Sequence, residues 1–427
     1  MERGVEATPA RRSAAIAPPL RMFLELQIML VLGCAAAEVY AKFVLHLTGI
    51  YTYPLRTRGQ TAWDFTLFAE QFRYFHQPQF FVVREFPYPA PVAAAYAIFF
   101  SYHAHPLRHF LGFILVSAVI AGVGLVLALR RHGLSALKAI AFVAASLLLA
   151  YPLWFELKQG NMEICVWVLV AVGVWAFWSG NDYTAAACFG IAGSMKIFPF
   201  VYLGLLLARR SYRGLILAGF AAASSTLVSL WLVGPNIVNT WRQLANGIAF
   251  FRANYILRYR PDEMGFDHSL FGIYKRFSHP LPPPERLGHI AEAYMAAAAV
   301  CGGVVYFVAI RRLPPINQVL CLTLACILLP PLSFDYTLMQ LYIPWAMLVL
   351  FAQERSEASS KTRQRIRGLI AAFVCMAIAM SPESEFIRHN VRYGGQIKAL
   401  ALVVLMCIGL RYPFARNSES TPAAASE

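Results

Sequence analysis

"YTAAACFGIAGSMKIFPFVYLGLLL", residues 183–207, is apolar and long enough to cross a bilayer, yet it carries a lysine and a proline at its middle. A helix needs about 20 apolar residues to span the hydrocarbon core. A single crossing here would put the next basic cluster, "ARRSYRG" (208–214), on the opposite side from the other short basic loops, against the cytoplasmic bias of Lys and Arg. A hairpin that enters and leaves on one side, with Lys196 near its tip, removes both conflicts. Halves of about 11 residues rise about 16 Å each, so the tip stops inside the membrane.

The rest of the chain threads by the same rules. Of 427 residues, 59% are apolar and 14% charged, with mean hydropathy +0.54, whereas soluble domains are roughly 45–50% apolar. Apolar runs such as "FLGFILVSAVIAGVGLVLAL" (110–129) recur along the whole length. The composition therefore predicts an all-α polytopic membrane protein. The first run, about 23–47, follows a leader with Arg3, Arg11, Arg12 and Arg21 and has no small-residue cleavage site near its end; it reads as an uncleaved span. Further full spans are expected at about 109–129, 136–156, 163–178, 214–233, 289–310, 316–333, 336–353, 366–382 and 396–411. That makes about ten, plus the hairpin. "PVAAAYAIFFSY" (91–102) is too short to cross and suits a re-entrant or interfacial helix.

Three regions follow from this threading. Residues 1–22 form a disordered basic cytoplasmic leader, 23–412 one transmembrane domain with outer loops 49–90 and 235–288, and 413–427 a disordered cytoplasmic tail. The net charge of +15 lies in short loops between apolar runs and on no continuous face, so it reports topology and excludes a nucleic-acid partner. The eight cysteines all sit in apolar segments, with no C-x-x-C pair, and read as packing residues.

Polar side chains concentrate in the two outer segments, which points to chemistry or binding on the outer face. "TAWDFTLFAEQF" (61–72) opens a stretch with Phe65, Phe68, Phe72 and Phe75 at helical spacing, an amphipathic helix lying in the interface. Asp64 either caps that helix or, partly desolvated by Trp63 and Phe65, acts as a base. Lys196 inside a membrane segment marks a functional site unless it snorkels to the interface; a lipid phosphate would offset its cost. Gln159 and Asn161 in "QGN" form a plain turn or orient a sugar hydroxyl. Asp335 in "SFDYTL" caps the span beginning at Tyr336 or belongs to the site. Arg252, Arg258, Arg260, Lys275 and Arg276 bind a phosphate or meet anionic headgroups.

In order and spacing, "WDF", "FPYPAPV", "KQGNMEICVWVLV", "GIAGSMKIFPFVYLGLLLARRSYRG", "DHSLFG" and "SFDYTLMQLYIP" resemble a GT-C glycosyltransferase, specifically glycosyltransferase family 87, over about residues 60–345. The family form has two prolines directly after the tyrosine; here Tyr88-Pro89 is followed by Ala90 and then Pro91. The resemblance implies a GT-C-like fold with outer-face interfacial helices, in a bacterial plasma (inner) membrane. It implies inverting transfer of a single hexose, with mannose expected, from a polyprenyl-phosphate donor to a hydroxyl of a lipid-linked or cell-envelope glycan at the outer face. Asp64 would be the general base, and Lys196, Arg252 and Arg258 would meet the donor phosphate. Tyr88, Gln159, Asn161, His268, Asp335 and Tyr336 would bind substrate. No cofactor is implied, and without an Asp-x-Asp pair no metal is demanded. A polyprenyl-linked glycan ligase or polymerase would share the donor but lean on outer-loop arginines. A secondary transporter should show internal repeats, and none is evident.

Overall fold

A computed structural model describes residues 15–44, 46, 62–77, 79–83, 85–101, 104–260, 264–278, 280–355, 363–382 and 393–415. Residues 49–61 of the first expected outer loop, residues 1–14 of the leader and residues 416–427 of the tail lie outside the described residues.

The described chain is helical: α1 (Pro18–Phe43), α2 (Trp63–Phe68), α3 (Phe80–Val83), α4 (Ala90–Phe100), α5 (Pro106–Arg131), α6 (Ala136–Leu149), α7 (Tyr151–Gln159), α8 (Glu163–Trp178), α9 (Asp182–Met195), α10 (Leu203–Ala208), α11 (Tyr212–Val233), α12 (Ile237–Phe251), α13 (Leu270–Phe277), α14 (Pro284–Val308), α15 (Pro315–Leu328), α16 (Tyr342–Arg355), α17 (Arg363–Ala379) and α18 (Gly394–Arg411). Prolines stand in the first turn of α1, α5, α14 and α15, where the missing N–H costs nothing. Among the described residues, five helices are long and apolar enough to cross a membrane: α1, α5, α11, α14 with its continuation to Arg312, and α18. The bent pair α6 and α7, at 53°, makes a sixth if counted as one span. The remaining expected spans fall on α8, α15, α16 and α17, only about 21 to 26 Å long at roughly 1.5 Å per residue.

The segment 183–207 folds back on itself. α9 ends at Met195, Lys196 is extended (φ −141°, ψ 133°), and a 3-10 turn (Phe198–Tyr202) leads into α10. The limbs rise about 21 and 19 Å. Both ends of the hairpin meet: Arg209 donates to Asp182 Oδ1 at 3.0 Å and to the Phe177 carbonyl at 2.6 Å. α9 packs against α8 and α11, and its tip is delivered beside the start of α8.

Two expected boundaries move. The first helix starts at Pro18, inside the expected leader, because Leu20 and Phe23 are fully buried and the Ala17 N–H donates to Gln353 Oε1 at 3.1 Å. The chain also stays packed past residue 413. The Phe414 N–H donates to Asn317 Oδ1 at 2.7 Å, and its ring is buried.

The phenylalanines of 65–72 do not lie on the surface of a free interfacial helix. Phe65 stacks on Phe100 at 4.4 Å and Phe110 at 4.7 Å, and Phe72 on Phe100 at 4.8 Å. The short aromatic helix α4 gives them a protein partner, so their apolar face is buried. This packing holds α2 against the bundle. Its entry is fixed by Gly160, which ends α7 with φ +65°; a Cβ there would lie 2.5 Å from Ala62 Cβ. Ala62 donates its N–H to the Leu157 carbonyl at 3.2 Å. Two residues later stands Asp64, and on either side of Gly160 stand Gln159 and Asn161.

Gly160→Ala is expected to destabilise the protein by about 2 kcal/mol, combining a left-handed alanine with that collision. Thermal unfolding in detergent reads it as a lowered midpoint. An unchanged midpoint would mean that this contact does not hold α2.

Candidate active site

The α7–α8 turn faces the start of α2 and the tip of the hairpin. Asp64 is the second residue of α2; Ala62 holds the cap position and makes no side-chain cap bond. The capping alternative for Asp64 therefore falls. Its carboxylate instead accepts across the chain, Oδ1 from Gln159 Nε2 at 2.8 Å and Oδ2 from Asn161 Nδ2 at 2.7 Å.

Asn161 is fully buried and uses its whole amide. Oδ1 accepts from Lys196 Nζ at 3.0 Å and from the Glu163 N–H at 3.1 Å, while Nδ2 also donates to the Tyr88 hydroxyl at 3.0 Å. Two donors facing one end and two acceptors the other leave a single amide orientation. Tyr88 accepts in this bond, so its own phenolic proton is left to donate.

Lys196 is not the lone ammonium that the sequence suggested. Its Nζ lies 2.6 Å from Glu163 Oε2, and 4.5 Å from the centre of the Tyr336 ring. Glu163 is in turn held by Gln340 Nε2 at 2.7 Å to Oε1. The cost of placing a charge here is therefore met by a carboxylate of the same chain. Glu156, on α7 one turn before Gln159, is also fully buried, and neither carboxylate oxygen has a hydrogen bond of good geometry; the Ile164 N–H only approaches it.

Burial pushes the Asp64 carboxyl up from the ordinary aspartate value of 3.8, against the opposing bonds from Asn161 and Gln159 and the charge of Lys196. Part of the residue nevertheless remains exposed. Burial also drives the Tyr88 phenol far up, with the charge of Asp64 adding to it, so Tyr88 serves as a neutral donor.

A second buried network adjoins the first. Asp335 Oδ2 accepts from Lys398 Nζ at 2.8 Å, and Asp335 Oδ1 lies 3.2 Å from His268 Nδ1. His268 Nε2 meets Thr337 Oγ1 and Ser333 Oγ, both at 3.1 Å. The Asp267 carboxylate accepts from the Ser269 and Ser333 N–H groups. One 3-10 turn, Asp335–Leu341, joins the networks: Asp335 belongs to the second, Tyr336 and Gln340 to the first.

Six expected residues thus converge: Asp64, Tyr88, Gln159, Asn161, Lys196 and Tyr336. His268 and Asp335 sit in the neighbouring network. Arg252 is half-exposed and pairs with Glu292 at 2.6 Å. Arg258 lies at an exposed position on the rim of a cleft lined by Tyr255, Arg260, Asp267, Lys275 and Phe334. Among the described residues no hydrogen bond joins either arginine to Lys196 or Asp64. Sequence reasoning missed Glu163, Gln340, Glu156 and Lys398. Three of them carried a visible signal, an ionisable group at the edge of an apolar run.

The model of glycosyltransferase family 87 matches residues 86–330, more than half of the 427-residue chain. The matched stretch includes Tyr88, Gln159, Asn161, Glu163 and Lys196; Asp64, Asp335, Tyr336 and Lys398 lie outside it. No curated protein and no solved structure matches. The fold-back at Lys196 and the turn at Gly160, which build the site, both fall within the match, and the chain belongs to glycosyltransferase family 87, a membrane glycosyltransferase family of the GT-C type.

Proposed function

We propose that the chain moves a single hexose, mannose being the expected one, from a polyprenyl-phosphate donor to a hydroxyl of a lipid-linked or cell-envelope glycan, at the outer face of a bacterial plasma membrane and with inversion. The observation that carries this reading is the Asp64 carboxylate, fixed by two side-chain amides and still partly accessible. A carboxylate has about four lone-pair sites. Two are taken by Gln159 and Asn161, and the others are free to accept the acceptor's O–H.

As the acceptor oxygen bonds to C1 of the sugar, its proton passes to Asp64. The C1–O bond to phosphate breaks, and its electron pair leaves with the lipid phosphate. Burial makes Asp64 a stronger proton acceptor than an ordinary aspartate, while its two amide donors keep the ionised form accessible. The leaving phosphate needs positive charge opposite it. Lys196, at the tip of the hairpin, supplies that charge, with Arg252 and Arg258 further out on the loop. Tyr88, Gln159 and Tyr336 line the sugar side, the buried Asn161 holds Tyr88 and Asp64 in place behind it, and His268 and Asp335 support that side through the buried network.

Asp64→Asn is expected to keep expression and donor-lipid binding but to lower turnover by about a hundredfold or more, the scale of a lost general base. A transfer assay with a polyprenyl-phosphate sugar and matched acceptor decides it. Near-normal transfer would return Asp64 to a structural role.

The pH dependence has a definite sign. The base works only when ionised and its pKa is raised, so activity should climb with pH along a limb above the ordinary aspartate value of 3.8. Gln159→Leu removes a bond that favours the ionised form, and the limb should move to higher pH. A limb that stays put, or moves down, would mean Gln159 does not tune the base.

The outer-face assignment is tested by single cysteines in a cysteine-free background. An impermeant reagent added to intact cells should label position 243 and miss position 131. The reverse pattern would put the site on the cytoplasmic side.

A further inference from the structure

The Lys196 ammonium already has three neighbours before any substrate arrives. Nζ donates to Asn161 Oδ1, forms the ion pair with Glu163 Oε2 at 2.6 Å, and lies 4.5 Å from the centre of the Tyr336 ring. Around this one ammonium stand three carboxylates, those of Glu163, Asp64 and Glu156, all within its electrostatic reach. An arriving phosphate would thus meet a carboxylate already in contact with Nζ, that of Glu163. Only 18% of the Lys196 side-chain surface is exposed. The phosphate can reach Nζ only by sharing it with, or taking it from, a group that holds it now.

Of the three holders, Glu163 is the one that a phosphate replaces in kind. The ring offers a weak attraction, and Asn161 Oδ1 is neutral and also held by the Glu163 N–H. Glu163 is an anion 3% exposed at the first residue of α8, secured from behind by Gln340. We infer that Glu163 is a resident counter-ion that competes with the donor phosphate for Lys196, so that it limits donor affinity while keeping Lys196 aimed at Asn161 and, through that amide, Asp64 aimed at the acceptor. This inference rests on the polyprenyl-phosphate reading of the donor. Glu163 is a positioning residue: it touches Lys196 and Gln340, and the sugar chemistry passes through its neighbours.

The structure also says how the charge can be removed cleanly. Gln340 Oε1 is buried without a hydrogen-bond partner. In Glu163→Gln, the new amide oxygen can accept from Lys196, and its NH2 can donate to Gln340 Oε1 once the Gln340 amide turns over. Shape and hydrogen bonds survive and only the charge is lost. Loss of a counter-ion then has two opposite consequences, tighter phosphate binding and slower turnover. Generic damage to the fold would weaken both.

The test uses the full-length purified protein and two probes, bare polyprenyl phosphate and the uncharged polyprenol. Wild type should bind the phosphate lipid more tightly than the alcohol. Glu163→Gln should bind the phosphate lipid about tenfold more tightly still, the scale of one loosened charge pair, with unchanged affinity for the alcohol and a lower kcat. Should the glutamine variant fold poorly, Glu163→Asp, which draws the carboxylate back from Lys196, should shift phosphate affinity in the same direction by less. If wild type prefers the phosphate lipid but neither variant gains affinity for it, the counter-ion role is overturned and the donor reading stands. If wild type does not distinguish the two lipids, the donor reading and this inference fall together.

Discussion

One side-chain amide holds the site together. Asn161 receives Lys196 and the Glu163 N–H on its oxygen and gives hydrogens to Asp64 and Tyr88 from its nitrogen. A buried amide with all of its bonds made leaves no alternative arrangement, because each bond broken would strand a polar atom away from water. Everything that builds the site serves to bring partners to that amide. Gly160 turns the chain tightly against Ala62, just before Asn161, the aromatic stack on α4 holds α2 beside it, and the hairpin carries Lys196 up to it.

The hairpin shows why a membrane enzyme would break a span. An unbroken helix through 183–207 would have all of its backbone hydrogen bonds made within itself and its lysine facing lipid or neighbouring helices at a cost of several kcal/mol. The fold-back instead spends the membrane depth on two short limbs locked at the far end by Arg209 on Asp182. Its tip presents an ammonium to a polar chamber. In the proposed reaction, that places the charge for the leaving phosphate and the brace for the base on one residue, and Glu163 arbitrates between the two tasks.

Much of this was legible in the residues. The position of Lys196 between Gly193 and Pro199, with basic residues after it, exposed the reversal, since charge bias and length cannot both be met by a straight span. Asp64, Gln159 and Asn161 could each be singled out by polarity, but nothing in a linear pattern says that residues 95 and 97 positions apart hydrogen-bond. The cap reading of Asp64 was reasonable for an acid opening a helix; it failed because the chain enters α2 through a left-handed Ala62. Glu163, Glu156 and Lys398 stand at the edges of apolar runs, where snorkelling is the common explanation, and the partners of Glu163 and Lys398 come from distant segments. The Phe65–Phe72 face read as lipid-facing because its true partner, α4, is itself apolar and short.

The most direct measurement is the anomeric configuration of the first-formed product, read by NMR from the one-bond C1–H1 coupling and compared with that of the polyprenyl-phosphate donor. A base at Asp64 acting on the acceptor hydroxyl displaces the lipid phosphate from the opposite face in one step, so the product should carry the opposite anomeric configuration. Product of the donor's own configuration would require a double displacement, make a carboxylate such as Asp64 the nucleophile, and contradict its role as the base.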